Sequence, residues 1–131
     1  MTTTQVQMQK VSPNIYVSDL RETIDFYRQL GFELVTRVGE GEDMIFALMN
    51  CGGVTFMFQT FESIENTLPV VSRTNGGSLL LYIDVKGIRD FYEQIKSRVT
   101  ILHGLEKTFY GATEFSIVDN NQYMLTFAEH E

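Results

Sequence analysis

The chain has 131 residues, 44% of them hydrophobic and 21% charged, ordinary values for a single domain (residues 1–131) with a buried core. A net charge of −7, with the ten Lys and Arg scattered, excludes the basic patch that a nucleic-acid partner needs. No apolar run reaches the roughly 20 residues of a membrane span. The polar residues 1–10 lack the apolar stretch of a secretory signal, so the expected setting is cytoplasmic with no membrane partner.

Taken in chain order, residues 11–17 alternate. They predict a strand with Val11, Ile15 and Val17 on one face and Ser12, Asn14 and Tyr16 on the other. A helix follows, with Thr23, Phe26, Tyr27 and Leu30 at i, i+3, i+4 and i+7, and Leu20 and Ile24 widening the stripe. Asp19 suits its N-cap, Glu22 completes a capping-box-like pair, and Gly31 sits where a left-handed C-cap belongs. Three more strands are predicted at residues 32–38, 44–49 and 54–60, parted by turn-like segments at 39–43 and 50–53. Residues 61–77, with Pro69 and the run Thr74-Asn75-Gly76-Gly77, read as a linker.

The pattern then starts again. A strand at residues 78–84 sets Leu79, Leu81 and Ile83 opposite Ser78, Leu80 and Tyr82. Ile88, Phe91, Tyr92 and Ile95 form a second helical stripe. Strands follow at 100–103, 112–118 and 123–128, with Asp119-Asn120-Asn121 as a tight turn in which Asn takes the left-handed conformation. The repeat is visible residue by residue: Asp25-Phe26-Tyr27-Arg28-Gln29-Leu30 returns 65 residues later as Asp90-Phe91-Tyr92-Glu93-Gln94-Ile95. Ile15-Tyr16-Val17 returns as Leu81-Tyr82-Ile83. Self-similarity at about half the chain length implies two copies of one βαβββ unit, module one over about residues 9–60 and module two over about 78–128. The Phe and Tyr of the helices read as core.

This order resembles the vicinal-oxygen-chelate superfamily, which holds glyoxalase I, extradiol dioxygenases and the fosfomycin- and bleomycin-resistance proteins. Val17-Ser18-Asp19-Leu20, Phe26-Tyr27 and Leu30-Gly31-Phe32 look like the family's opening strand, helix and turn. Residues 115–121 and Leu125-Thr126-Phe127 look like its closing hairpin, except that Asn120 and Gln122 stand where proline and glycine are usual. The resemblance implies an α+β fold, two tandem βαβββ modules whose curved mixed sheets surround a cup, with the helices outside.

Metal-dependent members take His, Gln or Glu ligands from the first and fourth strands of each module. Aligned by its own motifs, this chain carries Ser12, Met57, Ser78 and Thr126 there. Hydroxyls and a thioether are poor donors for a catalytic divalent ion, so no metal and no cofactor are expected. Cys51, the one cysteine, reads as a buried or half-buried thiol with no catalytic base beside it. His103 reads as a structural histidine and His130 as exposed. Glu114 faces the cavity under one register of the seventh strand and solvent under the other.

The expected lining of the cup is Ser12, Asn14, Tyr16, Thr55, Met57, Gln59, Ser78, Leu80, Tyr82, Met124, Thr126 and Ala128. Tyr and Met supply adaptable apolar contact, and hydroxyls and amides supply neutral hydrogen bonds. Without catalytic residues in that set, the resemblance points to a non-catalytic binder of a small organic molecule, like the bleomycin-resistance proteins. The acidic charge suits a cationic guest. The alternative is a glyoxalase-like, metal-dependent lyase or isomerase, or a dioxygenase-related enzyme. A homodimer is the expected assembly, as in many relatives.

Overall fold

The computed structural model describes residues 6–64 and 72–131. Two four-stranded sheets repeat one topology. The first module contributes strands β1 (Asn14–Val17), β2 (Glu33–Val38), β3 (Phe46–Cys51) and β4 (Val54–Thr60), in the order β1-β4-β3-β2. The second contributes β5 (Leu80–Asp84), β6 (Thr100–Lys107), β7 (Ala112–Val118) and β8 (Met124–His130), in the order β5-β8-β7-β6. In both, the first and last strands run parallel and the remaining pairs are antiparallel. The parallel pair forces a crossover, which the helices α1 (Leu20–Gln29) and α3 (Ile88–Ile95) supply. This is the α+β arrangement of two tandem βαβββ units that the repeat implies.

Several predicted bounds move. The first strand begins at Asn14 rather than residue 11, and Val11, expected among its apolar face, is 86% exposed. The strand predicted from residue 78 begins at Leu80. The sixth strand runs on to Lys107, past two register shifts that interrupt its alternation. The segment read as a linker opens with a four-residue helix, α2 (Phe61–Ile64), and its residues 65–71 lie outside the described residues. In the β7–β8 turn Gln122, not an asparagine, takes the left-handed conformation at φ 70°.

Local chemistry explains the rest. The Asp19 carboxylate accepts the Glu22 N–H at 3.0 Å and caps α1, and Gly31 past its end has φ 103°. The helix lays Tyr27 onto the inner side of the first sheet, where Phe32, Phe56 and Phe58 surround its ring at 4.8–5.8 Å. Ile15, Val17, Phe56 and Phe58 are buried while their alternate neighbours Asn14, Tyr16, Thr55, Met57 and Gln59 are only half-buried. In the second module Phe91, Phe115 and Phe127 form the matching cluster, with centroids 4.9–5.8 Å apart. The first sheet therefore has a helix-covered face and a half-open one; in the second, the face away from α3 is open along β5, at exposed Leu80 and Tyr82, but buried at Ser116, Thr126 and Ala128.

The modules are joined through the β7–β8 turn. Tyr27 donates its hydroxyl to Asp119 Oδ2 at 2.6 Å, and both residues are buried. Asp119 Oδ1 accepts the N–H groups of Asn121 and Tyr123 at 2.8 and 2.9 Å. Burial pushes the Asp119 carboxyl above its ordinary 3.8, although these three donors pull it down. Burial, then the nearby Asp119 charge, pushes the Tyr27 phenol well above 10. Asn121 and Asn120 donate to Thr23 Oγ1, and Tyr123 donates to the Tyr16 carbonyl at 3.1 Å.

Candidate functional site

Residues paired across neighbouring strands project from the same side of a sheet, so register assigns the open faces. On the first sheet Asn14 and Tyr16 pair with Met57 and Gln59, which pair in turn with Leu48 and Phe46. Asn14 Nδ2 donates to Gln59 Oε1 at 3.0 Å and reaches the Tyr16 hydroxyl at 3.4 Å. Gln59 passes the chain on to Ser63 Oγ at 3.0 Å. Thr55 accepts from Asn50 and from Lys10 at 3.0 and 3.1 Å. Against this network Asn14 Oδ1 is buried and, among the described residues, has no hydrogen-bond partner.

The second open face is built by Leu80 and Tyr82 of β5, Met124, Thr126 and Ala128 of β8, and Ser116 and Glu114 of β7. Thr126 and Ser116 bond each other at 2.8 Å, which commits the proton of one hydroxyl and a lone pair of the other. Glu114 Oε2 accepts from Tyr82 and Tyr110, each at 2.6 Å. The hydrogen bond to Glu114 is the main cause that pushes both phenols above their ordinary 10. His130 Nε2 stands 3.2 Å from the Tyr82 hydroxyl and 3.4 Å from Asp84 Oδ1. The register thus settles Glu114 onto the open face, and His130 is exposed but partnered. Tyr110, Asp84, Ser116, Phe46, Leu48 and Asn50 were not anticipated from the sequence. Alternation along the seventh strand (Ala112, Glu114, Ser116, Val118) carries the signal for two of the face's residues.

Of the twelve expected lining residues, ten lie on strands. Asn14, Tyr16, Thr55, Met57 and Gln59 share one open face; Leu80, Tyr82, Met124, Thr126 and Ala128 share the other. Ser12 is half-buried ahead of β1 and Ser78 is exposed ahead of β5. Among the described residues no hydrogen bond joins these two sets of five. His103 lies on β6, exposed, and pairs with Ser116, which places it on the face that carries Glu114.

The donors at the family's metal positions do not fit a divalent ion. Ser12, Met57, Ser78 and Thr126 offer hydroxyls and a thioether, and the Thr126 hydroxyl is already bonded to Ser116. Among the described residues no three His, Cys, Asp or Glu are grouped so that they could hold a metal.

The sequence model of the glyoxalase/bleomycin resistance protein/dioxygenase superfamily matches residues 7–127. The chain belongs to this superfamily. Solved structures share the superfamily fold. A protein of unknown function from Agrobacterium tumefaciens str. C58 is 24% identical, with 97% of this chain and 98% of that one covered and a TM-score of 0.77. TioX from Micromonospora sp. ML1 is 16% identical over 94% of this chain and 100% of that one, with a TM-score of 0.74. A bleomycin-binding protein complexed with bleomycin is 22% identical over 95% and 100%, with a TM-score of 0.67. At such identities the likeness is one of fold. Among curated proteins none matches the chain. Among the described residues of this superfamily member, no helix is long and apolar enough to cross a membrane.

Proposed function

We propose that the protein binds a small organic molecule on its open sheet faces without transforming it. The observation that carries this reading is Asn14 Oδ1, a buried acceptor with no partner among the described residues, set among Tyr16, Met57 and Gln59. A buried unpaired acceptor costs about 1–3 kcal/mol, and a ligand donor arriving there removes that cost. Apolar walls with a few fixed polar groups suit a small-molecule site. The first face comprises Ser12, Asn14, Tyr16, Thr55, Met57 and Gln59. The second comprises Ser78, Leu80, Tyr82, Met124 and Thr126, beside the carboxylates Glu114 and Asp84.

A cationic guest suits the net charge of −7 and those two carboxylates. The bleomycin-binding neighbour makes a bleomycin-type glycopeptide the first compound to try. The reading includes a cytoplasmic homodimer, in which a second copy brings a face to each open sheet. Exposed Leu79, Leu80, Tyr82 and Tyr110 on or beside the second face support such cover.

Isothermal titration with a bleomycin-type glycopeptide, in the presence of a chelator, tests the proposal. Heat of binding that survives the chelator and falls in Asn14→Ala is the expected result. Chelator-sensitive turnover of a glutathione hemithioacetal would replace the binder with a glyoxalase-like lyase. Sedimentation equilibrium reads the dimer: a mass of one chain, 15.0 kDa, at micromolar concentration overturns that part.

A further inference from the structure

Among the described residues, the hydrogen bonds between the two modules gather on one side. The β7–β8 turn reaches across to α1, where Asp119 bonds Tyr27 and Asn121 bonds Thr23. The repeat makes the β3–β4 turn the counterpart, facing α3. That turn is Gly52-Gly53, with no side chains to extend, and a Cβ added at either glycine would meet nothing within 4 Å. Among the described residues no hydrogen bond joins the turn to α3. A cleft of about 920 Å³ stands between them instead, walled by the turn on one side and by Asp90, Phe91 and Gln94 of α3 on the other.

The lining of this cleft is chemically coherent. Phe32 and Phe56 of the first module are stacked, with centroids 5.3 Å apart and planes at 17°. Phe91 and Phe127 of the second module meet edge to face at 4.9 Å. One aromatic pair from each module thus lines the same space. The charged groups that line it are Asp84, Lys86 and Asp90, one cation against two carboxylates. That balance, in a chain of net charge −7, disfavours an anion, while Lys86 among Asp84 and Asp90 leaves the lining with too little net charge to select a cation. Small-molecule sites typically enclose about 300–1,000 Å³, and aromatic walls favour stacking or edge contact with another ring.

We propose that this inter-module cleft is a second binding site, for a small neutral aromatic molecule. It lies on the helix-covered side of the first sheet, opposite Asn14 and Met57, so it is separate from the first open face, and it meets the second open face at Tyr82 and Asp84 of β5. Phe56 projects to the α1 side, where its centroid is 5.8 Å from Tyr27's, while its neighbour Met57 projects to the other.

The test uses N-phenyl-1-naphthylamine, a neutral aromatic probe whose fluorescence rises in apolar surroundings. Cys51, half-buried on the cleft wall and the chain's one thiol, supplies a second readout. The full chain is expected to show saturable enhancement. At a probe concentration about four times Kd, Cys51 alkylation by iodoacetamide should slow about fivefold. Gly53→Phe places a ring in open space at a position without positive φ, so the melting temperature should hold while probe affinity falls by at least about tenfold. Unsaturable enhancement, or alkylation unaffected by the probe, overturns the proposal. So does wild-type affinity in a folded Gly53→Phe. Should that variant fail to fold, protection of Cys51 in the unaltered chain decides the matter alone. Glycopeptide binding on the open faces is read separately by calorimetry, so either site can fail without the other.

Discussion

Replacing Tyr27 by Phe removes one hydroxyl and leaves the ring in its cluster. The ring contacts with Phe32, Phe56 and Phe58 survive, so the cost is that of the bond to Asp119 alone. A hydrogen bond to a charged group contributes about 1.5–3 kcal/mol, and here the carboxylate oxygen left behind is buried with no other partner among the described residues. The expected loss is therefore about 2–3 kcal/mol at pH 7, a drop in Tm of about 6–12 °C for a chain of this size. Urea unfolding at several pH values measures it. The sign of the pH effect follows from ionisation. The missing donor stabilised the charged carboxylate, so the deficit is full where Asp119 is ionised. It narrows as pH falls through the raised pKa of that group, because a protonated carboxyl has less need of the donor. A deficit below about 0.5 kcal/mol at pH 7, less than an ordinary hydrogen bond contributes, would refute the claim that this bond clamps the modules. A deficit constant from pH 7 to pH 4 would refute the assignment of charge to Asp119.

Two further substitutions probe the same chemistry. Asp119→Asn keeps an oxygen for the Asn121 and Tyr123 N–H groups and offers Tyr27 an amide donor, while removing the buried charge. Asp119 has a folded pKa above its unfolded value, so the wild type gains stability as pH falls through the folded pKa, and its stability relative to Asp119→Asn should rise over the same range in paired urea titrations. On the second open face, Glu114→Gln removes the carboxylate that holds two phenols protonated. Tyr82 and Tyr110 should then titrate closer to 10, seen as an earlier rise in tyrosinate absorbance, and an unchanged alkaline titration would count against that bonding.

What the sequence discloses and what it hides divide along physical lines. Helices α1 and α3 were readable because their apolar stripes repeat every turn and Asp19 marks a start. The parity of β4 was readable because the strand is buried on one face and half-open on the other, whereas β8 is buried on both faces at Leu125–Ala128. β6 was cut short at His103, since its register shifts break the alternation that a reader follows. The role of Asp119-Asn120-Asn121 was read as local turn chemistry. Asp119 does make those local bonds, but the polar side chains of the turn also reach Tyr27 and Thr23, some 92 to 98 positions earlier in the chain, and no periodicity reports a bond over that separation. Glu114 stayed ambiguous for a related reason: one residue of register decides which face it joins, and only the pairing with Ala128 settles it. The cleft at Gly52-Gly53 was invisible because a tight turn explains two glycines adequately.

The one-sided clasp has a consequence for the descent of the chain from a repeated unit. Halves that began as equals have become socket and plug: the first holds a phenol that finds its acceptor only in the second. Cut away from its partner, the first half would carry a sealed-in hydroxyl with nothing to receive it. Two identical halves would make such a bond twice or not at all, so its single occurrence means that the halves are no longer interchangeable.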